Sequence, residues 1–71
     1  MMDAAEMRDM SMEDILAELD DAREALMRLR FQLTTGELTD FNQIRFTRRK
    51  IARLQTVITE RAAAEQKEGE A

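Results

Sequence analysis

The sequence predicts an all-α protein: an antiparallel two-helix hairpin of long helices with a short extra N-terminal helix. Three observations predict it. The 71 residues contain no proline and only two glycines, Gly36 and Gly69, so few chain breaks are available. Apolar residues recur at Met12, Ile15, Leu19, Ala22, Leu26, Leu29 and Leu33 in unbroken steps of three and four, the pattern of one helix with a narrow packing seam. Gly36 separates that stripe from a second, made of Ile44, Ile51, Leu54, Ile58 and Ala62 with Phe41 at its start. A connection of a few residues forces the two helices to lie antiparallel.

The elements run in this order. A short helix about 3–9 passes through Ala4, Ala5, Glu6 and Met7, and the methionines at 1, 2, 7, 10 and 12 suggest that it packs weakly. Ser11 is placed to cap the first long helix, about 12–35, with Glu13 and Asp14 in its first turn where the helix dipole favours acids. Gly36 supplies the left-handed residue that ends it, and the turn occupies 36–39, with Thr39 able to cap the next helix. The second long helix covers about 40–65. Folding at Gly36 and Glu37 sets Leu33 near Phe41, Leu26 near Arg48 and Ile51, Leu19 near Leu54, and Ile15 near Ile58. Residues 1–66 therefore form a single helical-hairpin domain, and 67–71 are expected to be a disordered acidic tail.

Composition narrows the function. With neither cysteine nor histidine, the chain lacks thiolate and imidazole metal ligands, disulfides and the commonest acid–base catalyst. No calcium-loop pattern, phosphate-cradling glycine loop or nucleophile–base set is present. The expectation is no enzyme, no cofactor, no metal and no small-molecule substrate. No apolar run reaches the roughly 18–20 residues that span a bilayer, and the acidic N-terminus lacks the order of a secretory signal, so no membrane partner is expected and cytoplasmic residence is the simplest reading. A chain this short buries only about 60% of its unfolded surface, which makes a stabilising partner the default expectation.

Charge is where the sequence becomes specific. The net charge of −4 conceals a segregation: residues 1–22 carry eight acids and one base, whereas residues 23–53 carry eight bases and three acids. A local cationic field, not the mean charge, decides whether a polyanion can dock. Arg45, Arg48, Arg49, Lys50 and Arg53 form no i,i+4 pair with an acid, and no acid lies between Asp40 and Glu60. Like charges at i,i+4 destabilise an isolated helix, so an external anion better explains the cluster than a merely solvated face. Arginine outnumbers lysine, which suits bidentate phosphate contact and stacking on bases. On a wheel centred on Ile51, Phe46, Arg49 and Arg53 point away from the seam, Arg45 and Lys50 flank them, and Arg48 lies at the seam's edge. On the preceding helix Arg28 and Phe31 point outward with Gln32 beside them, and Arg30 borders the seam. The plain alternative for the two phenylalanines is packing against the short N-terminal helix.

The string from Leu29 to Leu38 (LR-x-Q, three residues, G-x-L), followed by Arg45, Arg48, Arg49, Ala52 and Arg53, resembles the family of the bacterial large-subunit ribosomal protein twenty-nine. A short helix with Glu6 and Arg8, then Ser11-x-Glu13-Asp14, agrees as well. The resemblance covers roughly residues 3–63. It implies a structural constituent of the large ribosomal subunit that binds large-subunit ribosomal RNA near the nascent-chain tunnel exit. It also implies ribosomal protein twenty-three as a neighbour, and chaperones or targeting factors as further partners. By the same resemblance Arg30, Gln32, Arg45, Arg48, Arg49 and Arg53 occupy RNA-side positions and Gly36 the turn. Arg28, Phe31, Phe46 and Lys50 join them on the helical-face geometry alone. Members are commonly basic, whereas this chain is acidic overall, which confines the expected RNA contact to the central patch. From another class, a coiled-coil hairpin adaptor for an acidic protein or another helix also fits. A DNA-binding role fits least, for want of a recognition helix crossing a turn at a large angle.

Overall fold

A computed structural model describes residues 3–38 and 40–70, with side chains as far as Gln66. Its elements are α1 (Ala4–Arg8), α2 (Met12–Thr35) and α3 (Asn42–Glu70), and the described residues contain no strand. Thus α3 runs on beyond the end near residue 65 that the sequence suggested, and it carries part of the expected tail; Ala71, Met1 and Met2 lie outside the described residues.

Local chemistry sets the boundaries. The Asp3 carboxylate accepts from the Glu6 amide and starts α1, and Ser11 Oγ accepts from the Asp14 amide at 3.1 Å and starts α2, each satisfying an amide that the first turn would otherwise leave unpaired. Gly36, at φ 80° and ψ 10°, ends α2. Its amide donates to the Leu33 carbonyl, and the Glu37 amide donates to that of Gln32 at 2.8 Å, the paired bonds of a Schellman close. At the start of α3 the Asp40 carboxylate accepts from the Asn42 amide at 2.9 Å. Thr39, the expected cap, lies outside the described residues.

The hairpin is a rod of 54 × 18 × 16 Å, and its radius of gyration of 15.0 Å exceeds the roughly 11 Å of a compact chain of this length. Its core gathers at the end away from the bend, where Met7, Ile15, Leu19, Leu54 and Val57 close on one another and Met10, Ile51 and Ile58 pack around them. Three expectations change here. Met7 is fully buried, so α1 is a core element instead of a weakly packed appendage. Val57, absent from the expected stripe, is a core residue, and Leu33 and Phe41, expected to meet across the turn, are both exposed.

The register of α3 explains Val57. On α3 the inward positions Thr47, Lys50, Leu54, Val57 and Arg61 follow steps of three and four, with Ile44, Ile51 and Ile58 half-buried along one edge. At 100° per residue this seam is turned by about 90° from one centred on Ile51. It is apolar at Leu54 and Val57 but polar at Thr47 and Lys50, so an apolar pattern alone points to its edge. Packing excludes solvent at one end of the rod and leaves the other end open to it. No residue from Arg23 to Phe31 or from Asp40 to Arg53 is fully buried.

Candidate nucleic-acid interface

The open half of the hairpin is the half that carries the bases. The α3 backbone sends Arg45, Arg48 and Arg49 to the side away from the Leu54–Val57 seam, and with Ala52 they line a shallow cleft of about 320 Å³. All three are exposed, and so are Arg28 and Arg30 on α2. Among the described residues none of these five arginines forms an ion pair with a carboxylate. An arginine cluster of this kind is attractive to phosphate, because its guanidinium groups need not abandon an existing partner first.

Two other predicted cations are placed differently. Lys50 Nζ lies 2.9 Å from Glu18 Oε2, and about a third of each side chain remains exposed. Its position on the seam, not on the outer face, brings it to α2. Arg53 is half-buried at the edge of the core and has an interaction of its own within the chain.

The phenylalanines stay out of the core. Phe31 is 67% exposed and Phe46 49% exposed, whereas α1 packs on the far half of α3 around Val57, Glu60 and Arg61. Packing against the N-terminal helix therefore does not account for them. Phe31 borders an apolar depression with Met27 and Arg28. Phe46 instead lines a groove of about 470 Å³ between the two helices beside the bend. Ala25, Arg28, Leu29 and Gln32 form its α2 wall, and Gln43, Phe46 and Thr47 its α3 wall. The predicted set thus divides. Arg45, Arg48 and Arg49 form an outer ridge, Arg28, Gln32 and Phe46 line the inter-helix groove, and Arg30 stands exposed on α2.

Sequence reasoning missed Gln43 and Thr47, whose neighbourhood only the rotated seam shows; the step of three from Gln43 to Phe46 was the available signal. It also missed Arg61, whose Nη2 donates to the carbonyl oxygens of Arg8, at 2.9 Å, and Met10. Beside it Arg8 Nε lies 3.3 Å from Glu60 Oε2. The hydrogen bond to Glu60, and secondarily that residue's charge, hold the Arg8 guanidinium above its ordinary pKa. These contacts fasten α1 to α3 at the core end and leave the bend end free. Among the described residues no cluster of carboxylates is arranged to hold a metal ion, and no helix is long and apolar enough to cross a membrane.

The chain is 45% identical over 60 residues to the large ribosomal subunit protein uL29 of Thermosipho africanus, covering 84% of this chain and 91% of that one. It is 47% identical over 58 residues to uL29 of Corynebacterium glutamicum, covering 82% and 76%, and 42% identical over 66 residues to that of Carboxydothermus hydrogenoformans, covering 93% and 96%. A family model described as ribosomal L29 protein matches residues 5–61, a span that contains all of α1 but its first residue, the bend and every arginine of the exposed ridge, and the chain accordingly belongs to the ribosomal L29 family.

Proposed function

We propose that this protein is a structural, non-enzymatic constituent of the large ribosomal subunit, and that it binds large-subunit ribosomal RNA through the basic half of its hairpin near the nascent-chain tunnel exit. The observation that carries the RNA contact is the exposed ridge of Arg45, Arg48 and Arg49, with Arg28 and Arg30 across the open half of the rod. Phosphates take up the guanidinium groups, and the shape of the rod provides selectivity, because the grooves of A-form RNA are poorly read by side chains. Burial on RNA also compensates for the small core. The seam residues Leu19 and Leu54 are consumed within one chain, which leaves the adaptor alternative without the free seam that it needs. Ribosomal protein twenty-three as a neighbour, chaperones or targeting factors at the tunnel exit, and cytoplasmic residence on the ribosome belong to the same proposal.

The test is binding to large-subunit ribosomal RNA over a range of salt, for the full chain and for Arg45→Ala/Arg48→Ala/Arg49→Ala. The expected result is an affinity that falls steeply with salt, with the slope reduced by about one unit for each phosphate contact removed. Equal affinity and equal slope for the two proteins overturn the proposal.

A further inference from the structure

We infer that the groove between α2 and α3 beside the bend receives an unpaired nucleobase of RNA, distinct from the phosphate contacts of the arginine ridge. The inference rests on the RNA-binding proposal and specifies what one part of that surface recognises. At about 470 Å³ the groove falls within the range of small-ligand sites, roughly 300–1,000 Å³. Its walls carry three kinds of group that suit a base. Phe46 offers an aromatic face, held half exposed at the rim, and every base has a π-face to lay on it. Gln32 and Gln43 approach from opposite helices, and each amide has two donors and an acceptor for a base edge. Neither amide side chain is engaged by another described residue. Arg28 stands on the same groove and supplies the charge that holds the adjoining phosphate.

Position along the seam favours this occupant. The inward face of α3 continues from Val57 and Leu54, which α1 covers through Met7, past the Glu18–Lys50 ion pair, to the half-buried Thr47. A neighbouring helix laid along the groove would have to pass that ion pair and would meet the two glutamines and Arg28 instead of an apolar stripe. A single flat ring entering from the side needs only the short open stretch. Duplex RNA keeps its bases stacked, so the ligand is a bulged or looped nucleotide.

The experiment compares the full chain with Phe46→Leu, Phe46→Trp and Gln32→Ala/Gln43→Ala on bare large-subunit ribosomal RNA, reading affinity together with dimethyl sulfate reactivity of the bases. Phe46 is exposed, so its replacement leaves the core untouched, and helical circular dichroism checks that each variant folds. The expected result is one base protected by the wild type and by Phe46→Trp, with the protection lost and affinity reduced by about tenfold in Phe46→Leu. The double glutamine variant is expected to retain binding with the protection weakened. Identical protection and affinity for the wild type and Phe46→Leu overturn the inference and leave the ridge proposal intact. The same variants are bound in parallel to protein-containing subunits, and a defect confined to those also overturns it, because the occupant is then a protein. Absence of RNA binding by every protein, the wild type included, overturns the function proposal itself.

Discussion

The guanidinium of Arg61, on α3, donates to the carbonyl oxygen of Arg8 at 2.9 Å, so a cation from one helix completes the C-terminus of another far away in sequence. The last carbonyls of α1 have no intrahelical donor, and a five-residue helix is not stable alone. Arg61 supplies the missing donors and fixes α1 over Val57 and Leu54. Arg61→Ala is expected to destabilise the fold by about 1.5–3 kcal/mol, the range for hydrogen bonds to a charged group. Urea unfolding measures the loss, and amide exchange in α1 should accelerate more than in the first turns of α2.

Apolar substitutions should separate the two halves of the rod. Leu54 has 0% exposure and Leu33 42%. Leu54→Ala is expected to cost about 2–5 kcal/mol, enough to unfold so small a domain. Leu33→Ala should stay below about 1 kcal/mol. Comparable thermal midpoints for the two variants would contradict the location of the core.

Gly36 tests the bend. A Cβ built there meets nothing within 4 Å, but φ of +80° is a conformation that side chains disfavour. Gly36→Ala should therefore cost about 1 kcal/mol through backbone strain, with no clash to relieve. Gly36→Asn should cost less, because asparagine tolerates the left-handed region. Chemical denaturation of the two variants ranks them.

If the basic half binds RNA as proposed, the Glu18–Lys50 ion pair competes with it for one cation. Its partly exposed setting limits its contribution to stability to about 0.2–1 kcal/mol. Glu18→Gln is expected to leave the thermal midpoint nearly unchanged and to release Lys50 for phosphate, steepening the salt dependence of RNA affinity by up to about one unit. Titrations of the variant and the wild type side by side provide the check.

Amide exchange should divide the free protein along its length. Amides in the second half of α2 and the first turns of α3, which lack buried neighbours, are expected to exchange faster than those around Ile15, Leu19 and Leu54. RNA binding should slow the fast group selectively. Uniform protection of the free rod would show that the open half is as stable as the core.

Helix identity, the Ser11 cap and the Gly36 bend were legible because each is a local property: a spacing, a hydroxyl before acids, a lone glycine between stripes. The three outer arginines were legible as a charge excess, although the wheel that sorted them was centred on the wrong residue. What the sequence hid was tertiary. Val57 and Met7 become core only because α1 folds back on α3, and Arg61 is informative only once the Arg8 and Met10 carbonyls are nearby. Lys50 shows the same limit, because a helix wheel assigns it a direction but cannot reveal Glu18 on another helix.

The charge segregation acquires a direction once the chain is folded into a rod 54 Å long. Eight acids and one base of residues 1–22 lie toward the α1 end, and the basic segment 23–53 lies toward the bend. Separated charge on a slender body is a large electric dipole, and a polyanion exerts a torque on it before any contact forms. The protein should swing round during its approach and arrive bend first, with its α1 end held off by repulsion, so that few collisions are wasted in the wrong orientation.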